Sequence, residues 1–167
     1  MEGYKASFIK SGKGKGLAAY YDTKKIEAGE QINMEKFQIG KFRHKSIDII
    51  NIYRSLTGNS LEMLEQLKNM IEDGRPTLIT GDFNACFLEN INNKLIQGLL
   101  TLGFDQLVHE GTHIQGRHID QAYLLVPTGK VNLRVERYSP YYSDHDGICI
   151  TFSSLGSMNK KTMERCS

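Results

Sequence analysis

Tryptophan is missing altogether, so aromatic contacts must come from eight tyrosines and seven phenylalanines. Cysteine is scarce: Cys86, Cys149 and Cys166 are odd in number and widely spaced. That spacing argues against a disulfide framework or a zinc site and fits a reducing compartment. Cys149 lies in an apolar run and reads as a small core residue. Cys86 has no neighbouring histidine in the sequence to make it a thiolate nucleophile. Charge of one sign is not in excess either, with 21 basic and 19 acidic residues and a net charge of +2. The balance does not mark a nucleic-acid binder, although a local patch would suffice for one. No apolar run is long enough to span a membrane, the N-terminus carries no signal-peptide pattern, and no internal repeat is visible. These absences point to an intracellular chain, nuclear or cytoplasmic, not secreted and without a membrane partner.

What is present suits one folded domain. The chain has 167 residues, of which 40% are hydrophobic, enough for a sizeable core. Strands and helices are expected to alternate. Phe8-Ile9 closes a short strand and Leu17 to Tyr21 forms another. Gln31 to Phe42 holds one or two more, with Phe37 and Ile39 on one face. Between the first two lies the Gly/Lys run Ser11 to Gly16. It lacks the spacing and the Lys-Ser/Thr ending of a phosphate-binding loop and reads as a solvated turn. Ser46 to Tyr53 is a β-branched apolar run suited to a buried strand. Asn59 to Asp73 has helical spacing through Leu61, Leu64, Leu67, Lys68 and Ile71. Asn59 or Ser60 is its cap, and Glu62 stands at the capping-box position from Asn59. Ile91 to Leu102 is a second helix. Phe104 to His109, Ile119 to Val126, Val131 to Arg137 and Ile148 to Phe152 are further strands. Residues 1–152 form the domain and 153–167 a polar tail without periodicity. The β-helix-β order predicts a layered α/β fold.

Chemistry concentrates where apolar strands stop. Thr77-Leu78-Ile79-Thr80 ends in Gly81-Asp82-Phe83-Asn84, and strand carboxyl ends are where open α/β sheets collect ligand groups. An acid and an amide two residues apart can face one pocket. The acid can take a proton or hold a cation, and the amide can donate to an oxyanion. Asp120 opens an apolar strand, a costly place for an acid unless it is paired or used. Ser143-Asp144-His145 precedes the final strand, and Asn51-Ile52-Tyr53-Arg54 ends an earlier one. Each elbow alone could be an ordinary turn. The other histidines, His113 included, read as structural.

These elbows, in this order, resemble the endonuclease/exonuclease/phosphatase family. The wording around Thr112-His113-Ile114-Gln115-Gly116 and Tyr138 to Ser143 is most similar to endonuclease-like domains of mobile elements. The resemblance implies a four-layered α/β sandwich, two packed mixed sheets flanked by helices, and metal-assisted attack of water on a phosphate ester. It implies that Asp82 orients or deprotonates the water, that Asn84 donates to the phosphate, and that Asp120 fixes the ring of His145. Tyr53 and Arg54 would support the substrate, and Asp144 with Asp82 would hold magnesium or manganese. In the family two strands, one carrying an Asn and one a metal-binding Glu, precede the Gly-rich stretch. Met1 falls after both, so the chain is expected to be incomplete at its N-terminus and to match roughly the last two-thirds of the domain. One sheet should then show free edges and exposed apolar surface. The leading expectation is a metal-dependent phosphodiesterase acting as an endonuclease on nucleic acid, DNA first, with activity weakened or lost through the missing strands. The alternatives are a phosphatase of inositol-phosphate-type small esters and a non-catalytic remnant that binds nucleic acid.

Overall fold

The computed structural model describes residues 3–11, 15–87, 92–127 and 131–154. Its centre is a six-stranded sheet in the order β3-β4-β5-β6-β8-β7. The strands are β3 (Ile26–Asn33), β4 (Phe37–His44), β5 (Asp48–Arg54), β6 (Thr77–Asp82), β7 (Asp105–Gln106) and β8 (Asp120–Leu125). Only β5 and β6 run parallel, and helix α1 (Ser60–Met70) makes the crossover between them; the other pairs are antiparallel. Helix α2 (Lys94–Thr101) follows β6.

Period-two alternation decides which side chains meet the helices. Along β5, Ile50 and Ile52 join Phe37 and Ile39 of β4, Ile79 of β6 and Tyr123 of β8 on one face. There they pack against Met63, Leu64, Leu67 and Met70 of α1 and Leu95 and Leu99 of α2. Each fully buried aliphatic contributes about 1.5–3 kcal/mol of transfer free energy. The two helices approach closely because α2 carries Gly98 at the crossing. A β-carbon there would sit 2.1 Å from a Leu64 methyl.

Helix α1 differs from its expected form in phase and length. Asn59 caps it as expected, accepting from the amides of Leu61 (3.1 Å) and Glu62 (3.3 Å). The buried stripe, however, is Met63-Leu64-Leu67-Met70, and Leu61 faces solvent. The helix stops at Met70, whose carbonyl accepts from Lys41 Nζ at 2.7 Å. Glu72 is drawn out of helical register by Lys41 and Arg43, and Gly74 turns the chain at φ 76°.

The opposite face of the sheet carries two ribbons. β9 (Val131–Tyr138) pairs antiparallel with β10 (Gly147–Ser154). Its Leu133 and Val135, with Ile148, Ile150 and Phe152, cover Leu78, Ala122 and Leu124. β1 (Tyr4–Ser11) pairs with β2 (Lys15–Asp22) and lies against β3 to β5, with Tyr21 ringed against Phe42 at 5.3 Å. Helices, sheet and ribbons form a layered α/β sandwich, the fold class expected. The ribbon layer is two separate pairs rather than one continuous sheet among the described residues. Phe8 and Tyr20 stand exposed on β1 and β2. Cys149 corrects the sequence reading: it is exposed, because the β10 neighbours Ile148 and Ile150 take the inward positions and turn it outward. The Gly/Lys turn at 12–14, residues 88–91, which include the expected start of α2 at Ile91, and the tail at 155–167 lie outside the described residues. No helix among the described residues is long and apolar enough to cross a membrane.

Candidate active site

Sheet register puts three of the expected residues in one row. Tyr53 of β5 pairs with Asp82 of β6, and Asp82 pairs with Asp120 of β8. All three have the parity of Ile49, Leu78 and Leu124, so they stand on the ribbon face, at the end where β5 and β6 finish.

Gly81 lets the chain turn there. Its φ is 139°, and a β-carbon would lie 2.0 Å from the Ile52 carbonyl oxygen. Asn84, at φ 45°, folds back onto the acid. Its backbone N–H donates to Asp82 Oδ1 at 2.8 Å, and its side-chain Nδ2 donates to Asp82 Oδ2 at 3.0 Å and to the Arg54 carbonyl at 2.8 Å. Arg54 corrects the sequence reading. It has the parity of Ile50 and Ile52, is buried, and spends its guanidinium on the carbonyls of Gly58 (3.1 Å), Phe83 (3.0 Å) and Asn84 (3.4 Å). It braces the elbow from behind. Gln121, also buried, ties the other side by donating to the carbonyls of Ala85 and His118.

His145 arrives from the loop before β10. Its Nδ1 lies 2.7 Å from Asp120 Oδ2, so the ring proton on Nδ1 donates to the carboxylate and Nε2 is left for the site. Thr112, fully buried, fixes Asp120 through its hydroxyl, which accepts from the Asp120 amide at 3.0 Å and donates to its carbonyl at 3.3 Å. The same loop forms a β-bridge between His113 and His145, and Ile114 N–H donates to the Asp144 carbonyl at 2.9 Å.

His113 is the residue the sequence reading missed. Its ring stands edge-on to His145 with centroids 5.1 Å apart, and its Nε2 lies 3.5 Å from Asp144 Oδ2. Its Nδ1 accepts from the Gln115 amide at 3.1 Å. With Nδ1 accepting, the proton of the neutral tautomer lies on Nε2, facing Asp144. The Thr112-His113 pair next to a histidine-bearing elbow was the available signal.

Two trios gather ligand atoms within 4.8 Å of one another: Asp82, Asp120 and His145, and His113, Asp144 and His145. Asp82 and Asp144, expected to share an ion, fall in different trios joined by His145. Tyr53 keeps a phenol without a hydrogen-bond partner among the described residues.

The electrostatics set the acids apart. No lysine or arginine pairs with Asp82 or Asp120 among the described residues. Burial pushes Asp82 up to about 6, with a further push from the Asp120 charge. Burial also raises Asp120, against the pull of its hydrogen bond to His145. The His145 ring is disfavoured as a cation by burial, but the Asp120 hydrogen bond and the charges of Asp120, Asp82 and Asp144 prevail and raise its pKa. Burial and Asp82 raise the Tyr53 phenol. Asp82 and Asp120, both partly buried, and the exposed Asp144 gather around His145 without a lysine or arginine ion pair among the described residues, and their hard oxygens are donors that fit a divalent ion.

Neither family models nor curated proteins match this sequence. Solved structures do match the fold. The endonuclease domain of TRAS1, a telomere-specific non-LTR retrotransposon, aligns over 93% of this chain and 80% of its own, with a TM-score of 0.66 and 18% identity. A mannosyl-6-phosphatase of Bacteroides thetaiotaomicron aligns over 92% and 78%, with a TM-score of 0.59 and 16% identity. An endonuclease/exonuclease/phosphatase family protein of the same bacterium aligns over 91% and 74%, with a TM-score of 0.58 and 16% identity. The chain has the endonuclease/exonuclease/phosphatase fold, and its neighbours of that fold include a nuclease and a phosphatase.

Proposed function

We propose that this chain hydrolyses phosphodiester bonds in nucleic acid, DNA in the first place, as a metal-dependent endonuclease. The observation that carries this reading is the row Tyr53-Asp82-Asp120 with His145 seated on Asp120 and Asn84 folded onto Asp82. An acid to accept a proton, an oriented imidazole and neutral donors converge there without a lysine or arginine to neutralise the acids.

Asp82 and Asp144 would hold magnesium or manganese, with waters and a substrate oxygen completing its shell. When bound, the ion would stabilise charge developing on the phosphate and make water easier to deprotonate. Asp82, ionised above about pH 6, would orient the attacking water and accept its proton. Asp120 holds the Nδ1 proton of His145, so the imidazolium presents Nε2–H to a non-bridging phosphate oxygen. The Asn84 side-chain amide, which donates to Asp82 Oδ2, could donate a hydrogen bond to a second phosphate oxygen in its place. The Tyr53 hydroxyl supplies a further donor. His113 keeps Asp144 turned toward the site.

The test is hydrolysis of supercoiled plasmid, a duplex with one abasic site, and inositol phosphates, each with magnesium, with manganese and with a chelator. Metal-dependent nicking that is lost in His145→Ala supports the reading. Hydrolysis of the inositol phosphates alone, or nicking that survives both chelation and His145→Ala, overturns it.

A further inference from the structure

The opposite end of the same sheet carries a second charged feature that the hydrolytic site does not use. β5 and β6 begin there at the pair Asp48 and Thr77, five residues before the pair Tyr53 and Asp82. Five residues of strand put the two ends about 17 Å apart. An open cleft of about 700 Å³ lies at this end, walled by the β1–β2 ribbon, the β2–β3 and β4–β5 turns and Arg75. Six of its lining residues are lysine or arginine and one, Glu27, is an acid. In a chain whose net charge is only +2, this concentrates positive charge in one place.

The cleft is built on fixed charges. Asp48 has a side chain only 1% exposed and receives Lys41 Nζ at 3.0 Å, Arg43 Nε at 3.2 Å and Arg75 Nε at 3.1 Å. Arg75 Nη2 also donates to the His44 carbonyl at 3.0 Å. Arg43, which also pairs with Glu72, and Arg75 are thus anchored along one edge, yet their side chains stay 41% and 30% exposed. A guanidinium held along one edge and open on the other is preorganised to meet a phosphate. Around them Lys5, Lys24 and Lys45 make no ion pair among the described residues, while Lys25 has Asp22 at 3.9 Å. A merely solvated sheet end would not need a buried carboxylate to align two guanidiniums beside three unpaired lysines.

We propose that this cleft is a second anion-binding site that takes the phosphodiester backbone of a nucleic-acid strand away from the point of cleavage. The choice of nucleic acid as the ligand rests on the function proposed above. Contacts of this kind position a substrate without reading its sequence.

The test compares two charge reversals by fluorescence anisotropy with a labelled 20-base-pair duplex. Both are made on the His145→Ala background, so binding reads the same whether or not the parent cleaves. Lys24→Glu with Lys45→Glu alters the cleft; Lys68→Glu with Lys94→Glu makes the same charge change on the helical face. The cleft pair is expected to weaken binding at least tenfold and to lower the slope of log affinity against log salt by about two. The helical pair should change affinity by less than about twofold. Circular dichroism reports folding, and if the reversals unfold the chain, Lys24→Ala with Lys45→Ala carries the same comparison. Equal losses in both pairs, or no loss in the cleft pair, overturn the proposal. Competition by inorganic tripolyphosphate as effective per phosphate as the duplex also overturns it, by moving the ligand to soluble polyphosphate.

Discussion

Asp48 and Asp82 sit on adjacent parallel strands, at opposite ends, and both are withdrawn from water. Burial pushes the pKa of each upward. At Asp48 hydrogen bonds from Lys41, Arg43 and Arg75 prevail and hold it below its usual range. At Asp82 nothing comparable is present, and it rises to about 6. One acid is spent on holding three cations in place, while the other keeps an unmet demand for positive charge. Burial alone therefore does not distinguish a structural acid from a working one; the partners do.

The largest way to break the comparison is Asp48→Ala. Removing the carboxylate leaves buried Lys41 with only the half-exposed Glu72 as counter-ion, and we expect a loss of about 3 kcal/mol in urea unfolding. At saturating substrate the metal-dependent rate per folded molecule should change little, while affinity for a duplex should fall because Arg43 and Arg75 lose their anchor. The same linkage gives a pH dependence. A lowered native pKa contributes stability above about pH 4 that is lost as pH falls through the native value. The parent should therefore weaken steeply in acid where the variant, already weak, does not.

His145→Ala should act in the opposite sense. It should lower the hydrolytic rate on the order of 10² to 10⁴, and urea unfolding should show little loss of stability because the ring is about one-third exposed.

Asp82→Asn should lose activity but gain stability, by about 2 kcal/mol at pH 7.5 in the presence of a chelator. Here the sign is reversed. Below about pH 4 the acid is protonated in both states and the substitution is neutral. Between about 4 and 6 only the folded chain keeps the proton, so parent stability falls as pH rises and the variant's advantage appears. An Asp82→Asn chain less stable than the parent at pH 7.5 would show that Asp82 is compensated after all.

The smallest expected effect is from Asp120→Asn. If Asp120 only orients the His145 ring, the rate should fall about tenfold, in the range seen for residues that orient a ligand, and the pH profile should shift with the histidine.

The sequence showed where the elbows are because each follows an apolar, β-branched run that stops at a small or polar residue. It could not show the row Tyr53-Asp82-Asp120, since strand pairing is non-local and register is set by the whole sheet. His113 was missed for the same reason: its role comes from a bridge to a loop far along the chain. Arg54 and Cys149 were misread although the information was present. Arg54 shares the parity of Ile50 and Ile52, and Cys149 falls between Ile148 and Ile150, so strict alternation would have turned the first inward and the second outward. The phase of α1 was misplaced because Leu61, which faces solvent, was taken as the start of its buried stripe. The division of the ribbon layer into two pairs carries no local signal at all.

The central claim is that positive charge is wanted at the Asp82 end of the sheet and already supplied at the Asp48 end. A manganese titration of the ¹⁵N-labelled chain followed by amide NMR tests it most directly. Paramagnetic broadening should remove the signals of Asp82, Asn84, Asp144 and His145 first and leave those of Lys41, Arg43 and Asp48 sharp. Broadening that begins around Asp48 and Glu72, or spreads evenly over the surface acids, would contradict it.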